Sequence, residues 1–331
     1  MTDPRTTLVG KPRLPDAELA KLRKRVVKYV EASLSPATKR AYKSDWDQWE
    51  AFCSAVHSSP RPATPESLAL YLASLAEDGK SVSTIERALA AITKGHEVSG
   101  LASPRAHPLV KQSLRGIRRE IGVRQSRVDA ISPEQLKLMV TSLPHTKPGY
   151  ELRSMRDHVL LVVGFAGGFR RSEIVNLNFE DLRQEDDGFV VLLRRSKTDQ
   201  EGKGRLIGLP YGSHLPTCPS RQLERWIRVR GAEAGPLFCG VSRDGMALLM
   251  DHRLVPRTVA RIVQRGARHA GLDGWFAGHS LRAGLVTSAA RANKPIHSIT
   301  AQTGHKSIEM VMRYIREVDL WEENAAANIG L

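Results

Sequence analysis

The amino-acid sequence predicts a mainly α-helical protein of two domains, the second of which carries a small antiparallel β-hairpin or sheet. The chain has 331 residues, more than one hydrophobic core usually organises. Apolar residues recur at helical spacing through both halves. One stretch, GFVVLLRRSKTDQEGKGRLIGLP at residues 188–210, instead holds two β-rich runs around a polar, glycine-containing turn. This pattern is typical of a hairpin inserted among helices.

The N-terminal part of the chain, residues 17–121, has the pattern of four or five helices. Ser35 and Thr64, each followed by proline, are start signals for two of them. In the stretch SVSTIERALAAITKGHEVSG, Ser83 and Glu86 have the spacing of a capping box at the start of a third helix. Basic residues on the outward faces of these helices are Arg40, Lys43, Arg87 and Lys94.

Three further boundaries complete the domain organisation. Residues 1–16 show no hydrophobic period, so we expect a mobile tail. Residues 122–130, GVRQSRVDA, also lack an apolar period and are the predicted linker. The second domain then spans residues 131–331 and begins with a helix capped at Ser132. Its last residues, 319–331, predict a short helix with exposed apolar side chains.

The charge balance indicates a polyanionic partner. Lys and Arg number 50 against 35 Asp and Glu, which gives a net charge of +15 and a pI near 10.0. These basic residues recur along the whole chain, whereas binding to an anionic membrane favours a cluster at one end. The longest apolar run, residues 159–169, is too short to cross a bilayer. Nucleic acid is therefore the expected partner, and no membrane association is expected.

The sequence predicts neither a metal site nor a nucleotide cofactor. Cys53, Cys218 and Cys239 form no CxxC pair, and the 11 histidines contain no HExxH arrangement. The phosphate-binding patterns GxxxxGK[ST] and GxGxxG are also missing from the sequence. We therefore expect no cofactor and a reducing, cytoplasmic setting.

Three short segments of the second domain place polar residues at chemically useful spacing. In GGFRRSEIVNL, two glycines break an apolar helix, and Arg170 and Glu173 then stand at i and i+3. An ion pair on a surface helix is the alternative. RRSKTDQEGKGR puts Lys197 in the hairpin turn, where most lysines are simply solvated. In GHSLRAG, His279 and Arg282 follow a glycine at i and i+3, so both can address one anion, with a structural histidine as the alternative.

A fourth segment, TGHKSIEMVMRYIREVD at residues 303–319, contains His305 and Tyr314. In one unbroken helix, nine residues at about 100° each would place these two side chains on opposite faces. Both can reach one site only if His305 lies in a turn at Gly304, ahead of a helix capped by Ser307. Tyr314 then flanks the buried stripe of that helix and can emerge, with core packing as the alternative.

The four segments together supply side chains that suit attack on a phosphodiester: two arginines, a lysine, two histidines and a tyrosine. In-line attack passes through a pentacoordinate state whose nonbridging oxygens carry extra charge, and Arg and His donors can stabilise that charge. Tyr314 would be the nucleophile. Because a phenol has a pKa of about 10, it needs a base or a cationic surround, which His305 and the arginines could provide. Lys197 is the natural general acid for the departing 5′ oxygen.

In this order, the residues resemble the tyrosine recombinase (phage integrase) family, and the similarity covers most of the chain. The matching positions are Arg170, Glu173, Lys197, His279, Arg282, His305 and Tyr314. The stretch 275–316 resembles the Cre-type recombinases in particular, although His305 stands where Cre has tryptophan, in agreement with the wider family. The resemblance implies a helical, SAM-like core-binding domain at 17–121 and a catalytic domain at 131–331, which together clamp DNA in a C shape.

The resemblance also implies an activity and its partners. A member of this family recombines DNA at specific sites through a 3′-phosphotyrosine and a Holliday junction, with no high-energy cofactor. Double-stranded DNA with inverted-repeat-like sites would be bound by a homotetramer that exchanges its tail helix, 319–331, between protomers. By position, Arg40, Arg87 and Arg257 would face the DNA grooves and touch bases or phosphates. The target sequence and any accessory factor stay open.

Two alternatives to a recombinase share part of this pattern. A type IB topoisomerase-like enzyme would use the same chemistry to relax DNA as a monomer. A noncatalytic DNA-binding accessory protein would bind without cleaving, and we would then expect one of the active-site residues to be missing from the sequence.

Overall fold

A computed structural model shows how the chain folds. The residues that it describes are 15–122, 128–194, 196, 199, 204–305 and 307–314. Most of the predicted N-terminal tail, Lys197 and the predicted tail helix 319–331 lie outside these residues. The chain divides into two compact units, Met1–Ser126 and Arg127–Leu331, and the division falls within the stretch 122–130.

The described part of the first unit is all helical. Its α-helices are α1 (Asp16–Ala32), α2 (Pro36–Ala55), α3 (Pro65–Glu77), α4 (Val82–Val98) and α5 (Pro108–Ile121). The predicted N-caps hold for two of them: the hydroxyl of Ser35 accepts from the backbone N–H of Thr38, and Thr64 forms a reciprocal capping box with Ser67. The core between these helices includes Trp49, Leu68, Leu72, Ile85 and Ile92.

The predicted capping box of α4 is wrong. The N-cap is Ser81, whose backbone is extended and whose hydroxyl accepts from the N–H of Thr84 at 3.4 Å. Ser83 already lies inside the helix, and the Glu86 carboxylate accepts from Arg118 Nε at 2.9 Å instead of reaching back to the cap. Because the sequence offers serines at both 81 and 83, the pattern alone could not separate the two starts.

The second unit packs its helices around α7. Its described α-helices are α6 (Pro133–Thr141), α7 (Glu151–Ala166), α8 (Arg171–Val175), α9 (Pro219–Arg230), α10 (Pro256–His269), α11 (Ser280–Arg291) and α12 (Ile296–Thr303), and residues 308–314 are also helical. From Val159 to Val163 every residue of α7 is buried, which explains why this run is apolar on all sides. No helix in the described residues is both long and apolar enough to cross a membrane.

The predicted hairpin is confirmed and is part of a three-stranded antiparallel sheet. Its strands are β1 (Leu182–Glu185), β2 (Gly188–Leu193) and β3 (Arg205–Pro210), in the order β1-β2-β3. Val191 pairs with Ile207, and both face the core. A second, two-stranded sheet joins β4 (Cys239–Val241) to β5 (Leu248–Arg253). The sequence did not predict β1, β4 or β5, which are short or polar.

Candidate active site

The Arg170–Glu173 pair is built into the start of α8. Gly167 and Gly168 end α7, and Arg170 is then the N-cap residue of α8. The Glu173 carboxylate accepts from the Arg170 backbone N–H at 2.9 Å and from Arg170 Nη1 at 2.5 Å. Glu173 is only 2% exposed. The alternative of a solvated surface ion pair therefore does not apply, because the carboxylate is buried and holds the arginine at two points.

Arg282 enters the same region from α11 and is buried. Its Nη1 donates to the carbonyl oxygens of Gly168 at 2.7 Å and Thr303 at 2.5 Å. Its Nη2 is buried and has no hydrogen-bonding partner in the described part of the chain. Burial, followed by the charge of Arg170, lowers the pKa of Arg282 to about 10. A cation fixed by two carbonyls with donors left over is suited to bind an anionic oxygen.

His305 occupies a turn ahead of the last helical segment, as the helix geometry requires. Gly304 ends α12 with a φ of 65°, in the left-handed region. His305 is non-helical, and the helix resumes at residue 308. The Nδ1 of His305 lies 2.8 Å from the Thr303 hydroxyl, and no described residue hydrogen-bonds to its Nε2. Burial, then the charges of Arg282 and Arg170, lower the pKa of His305 to about 3, so the ring is neutral at pH 7.

Tyr314 has an apolar and a polar side, and the structure uses both. Its ring packs against the buried cluster of Val286, Ile299 and Val311. Its hydroxyl lies 3.2 Å from His279 Nε2. Tyr314 is therefore both a packed residue and a candidate nucleophile. Core packing fixes its ring, and its hydroxyl remains in contact with His279.

The structure changes the predicted partner of the tyrosine. From the sequence, His305 is the expected base, but the histidine in hydrogen-bonding reach of Tyr314 is His279, the N-cap residue of α11. Burial, then the charges of Arg282 and Arg170, lower the pKa of His279. Its ring is therefore neutral at pH 7 and can accept the phenolic proton.

Sequence reasoning missed one further arginine in this region. Arg205, the first residue of β3, places Nη2 3.7 Å from the Glu173 carboxylate. Its Nη1 donates to backbone carbonyls at the end of α12. No sequence signal separated Arg205 from the other basic residues around the hairpin turn. Only the fold shows that it turns inward.

The five predicted DNA-contacting residues differ in how they are held. Arg87 donates to both carboxylate oxygens of Asp45, at 2.8 and 2.9 Å, and Asp45 is buried. That hydrogen bond raises the pKa of Arg87. Lys43 pairs with Asp47 and Lys94 with Glu97, both near the surface. Arg40 on α2 and Arg257 on α10 are exposed.

Family models match both units of the chain. The phage integrase family model matches residues 129–319, which include all seven predicted catalytic positions. The model of the N-terminal SAM-like domain of phage integrases matches residues 29–97.

Curated relatives match along nearly the whole chain. An integrase/recombinase xerD homolog from Selenomonas ruminantium is 35% identical over 300 residues, covering 89% of this chain and 86% of the relative. The recombinase cre of Escherichia phage P1 is 28% identical over 326 residues, covering 93% of each protein.

Solved structures share the fold at low sequence identity. The XerH site-specific recombinase in a post-cleavage complex with palindromic difH substrate gives a TM-score of 0.59 at 20% identity, covering 85% of this chain and 76% of that one. The Tn1549 transposon integrase in complex with circular intermediate DNA gives 0.61 at 16% identity, with 89% and 93% covered. The mainly helical fold class with small antiparallel sheets is thereby confirmed.

Proposed function

The chain belongs to the phage integrase family and is a site-specific tyrosine recombinase, and on this premise we propose which residues perform the strand transfer. The Tyr314 oxygen attacks the scissile phosphorus, and the P–O5′ bond breaks. A 3′-phosphotyrosyl link forms and a free 5′ hydroxyl leaves. Attack by the 5′ hydroxyl of a partner strand reverses the step, and two such exchanges pass through a Holliday junction. The phosphotyrosyl bond conserves the energy of the phosphodiester.

The observation that carries this proposal is the contact between Tyr314 and His279. His279 takes the phenolic proton as the oxygen attacks, because its ring is neutral and its Nε2 lies 3.2 Å from the hydroxyl. Arg170 and Arg282 lie close enough to lower the pKa of that histidine. The nucleophile therefore stands beside both its base and the cations that would hold the phosphate.

Three side chains are proposed to bind the nonbridging oxygens. Arg282 offers the donor Nη2, which has no partner in the described residues. Arg170 offers its guanidinium, oriented by Glu173. His305 is proposed to donate from Nε2, in the neutral tautomer whose Nδ1 accepts from the Thr303 hydroxyl. Charge on these oxygens grows in the transition state, so fixed donors lower the barrier without having to reorganise.

Lys197 is proposed as the general acid. Its proton would go to the departing O5′, which balances the proton that His279 takes from Tyr314. Lys197 lies outside the described residues, and the proposal for it rests on the match to the family pattern. A substrate with sulfur in place of the bridging O5′ gives a leaving group that needs no proton, and it should therefore restore cleavage by Lys197→Ala.

The proposed partners are double-stranded DNA with inverted-repeat-like sites and further copies of this chain. An apolar cavity of about 490 Å³ in the second unit offers an acceptor for a tail helix. Its lining includes Leu136, Phe165, Leu285, Ala289, Ile299 and Lys294. The tail 319–331 brings Leu320 and Trp321 for the apolar wall and Glu322 and Glu323 for the lysine. We propose that this exchange between protomers assembles a tetramer on two DNA sites.

Both domains, with the boundaries 17–121 and 131–331, are proposed to contact the duplex. Arg40, Lys43, Arg87, Lys94 and Arg257 are the proposed DNA contacts. Asp45 fixes the orientation of the Arg87 guanidinium through Nε and Nη2, so Arg87 would present its remaining N–H donors to DNA from a fixed position. With DNA as its substrate, the protein is proposed to work in the cytoplasm.

Covalent selection on randomised duplex DNA tests the proposal. Duplexes with a bridging sulfur at random positions are incubated with the protein, complexes that survive denaturant are isolated, and the trapped DNA is sequenced. Recovery of one inverted-repeat-like sequence, and of recombinant junctions only when two such sites are supplied, supports a recombinase. Relaxation of supercoiled DNA that carries a single site, without recombinant junctions, would favour the topoisomerase-like alternative. Binding without any trapped DNA would favour the noncatalytic one.

A further inference from the structure

Arg205 joins the β-hairpin to the end of α12. It is the first residue of β3, immediately after the turn that carries Lys197 in the sequence. Its Nη1 donates to the carbonyl oxygens of Ala301 at 3.1 Å and Gln302 at 3.0 Å. These carbonyls belong to the last turn of α12, where helix carbonyls lack intrahelical partners and a cation is favourable. Arg205 therefore caps the helix that leads into His305.

The guanidinium of Arg205 also lies directly against Gly304. A Cβ at residue 304 would come within 2.5 Å of Arg205 Nη1 and 2.7 Å of its Cζ. The φ of 65° independently favours glycine at this position. The Arg205 guanidinium therefore packs against the backbone of the turn that precedes His305.

On its other side, Arg205 faces the Arg170–Glu173 pair. Its Nη2 is 3.7 Å from Glu173 Oε2, the same oxygen that accepts the backbone N–H of Arg170. Arg205 therefore contacts Glu173, which orients Arg170, and the turn that presents His305.

Arg205 is held in an unfavourable environment. Its Nε and Nη2 are buried, and among the described residues neither has a hydrogen-bonding partner. Burial, opposed by the charge of Glu173, lowers the pKa of Arg205. Burying donor atoms of a cation without a partner is costly, and capping the end of α12 would not by itself require their burial.

We propose that Arg205 is a positioning residue for strand cleavage, which fixes Arg170 through Glu173 and His305 through the Gly304 turn. The inference rests on the proposed function and adds to it a residue to which the sequence motifs assign no role. Removing the guanidinium frees one side of the Glu173 carboxylate and leaves two carbonyls of α12 without a donor. Displacement of catalytic groups by about 1 Å can cost on the order of a hundredfold in rate.

Arg205→Met tests the inference because methionine keeps an unbranched side chain over Gly304 but removes every donor. Arg205→Lys keeps the charge and loses the fork. Arg183→Met is the matched control, since Arg183 lies on β1 of the same sheet with its side chain 69% exposed. Single-turnover cleavage and binding are measured on the duplex selected by the wild-type protein, with oxygen or sulfur at the bridging position. Thermal melting identifies which variants are folded.

We expect Arg205→Met and Arg205→Lys to bind DNA as the wild type does and to cleave it roughly ten- to a hundredfold more slowly. Sulfur should not restore the rate, although it restores Lys197→Ala, because the defect lies in phosphate binding and not in protonation of O5′. Cleavage by either folded variant at the rate of Arg183→Met, or rescue by sulfur, would overturn the inference. Failure of the wild-type protein to cleave either substrate would refute the proposed function itself.

Discussion

Replacing Glu173 by glutamine removes the buried charge on which the site is built. In the wild type, one oxygen of this carboxylate accepts from Arg170 Nη1 and the other from the Arg170 backbone N–H. Glutamine can keep one of these bonds. Its NH₂ group then faces either the N–H of the backbone or the guanidinium, and both are donors. Arg170 and Arg205 also lose the only negative charge that lies between them among the described residues.

The cost follows from burial. Removing one partner of a buried ion pair costs roughly 3 to 5 kcal/mol. The Arg170 side chain is 18% exposed, so water partly replaces the lost contact, and we expect about 3 kcal/mol for Glu173→Gln. Glu185→Gln is the control, because the Arg183–Glu185 pair has side chains 69% and 46% exposed. A pair of this kind contributes about 1 kcal/mol or less.

Urea-induced unfolding of the full chain, followed by circular dichroism, measures both variants. The account predicts a clear loss of stability in Glu173→Gln and little change in Glu185→Gln. Cleavage by Glu173→Gln, measured where the variant is folded, should fall on the order of ten- to a hundredfold, since Arg170 is then held at one point instead of two. Equal stability and equal cleavage in the two variants would refute the reasoning that the buried carboxylate organises the site.

Three further predictions concern the pH dependence of stability, the pH dependence of cleavage, and Arg282. His158 and His305 have pKa values lowered to about 4 and about 3 in the folded protein, against about 6.5 when unfolded. Between the folded and unfolded pKa values, these histidines are therefore protonated in the unfolded chain and neutral in the folded one. Stability should fall as the pH drops below about 6.5, by up to about 1.4 kcal/mol per pH unit for each histidine, and His158→Gln should show a flatter melting profile. The cleavage rate should rise with pH through the lowered pKa of His279 and then level off; a rate that keeps rising toward the pKa of a free phenol would show that no base assists Tyr314. Arg282→Lys, which loses the forked donor, should slow cleavage on the order of a hundredfold, whereas Arg291→Lys at the exposed end of the same helix should leave the rate unchanged.

Much of the fold was predictable because local signals determined it. Serine or threonine followed by proline marked the starts of α2, α3 and α6, and the β-rich runs on either side of a polar turn marked β2 and β3. Strands β1 and β4 were not predictable, because LRQE and CGV are too polar or too short to show a period. Their pairing depends on neighbours that only the folded chain supplies.

The catalytic motifs could be found in the sequence, but their contacts could not. Helix periodicity placed His305 in a turn and Tyr314 on a helix edge, and both positions agree with the structure. Periodicity carries no information about distances between segments. The assignment of His279 to the tyrosine, and the presence of Arg205 behind Gly304, therefore required the tertiary structure.

Mapping the covalent link between protein and DNA tests the central claim most directly. Complexes trapped on the selected duplex are digested with protease and nuclease, and mass spectrometry locates the residue that carries the nucleotide. The account predicts a nucleotide phosphate on the Tyr314 oxygen, and no adduct when Tyr314→Phe is used under the same conditions. A nucleotide attached to any other residue, or an adduct that persists in Tyr314→Phe, would contradict it.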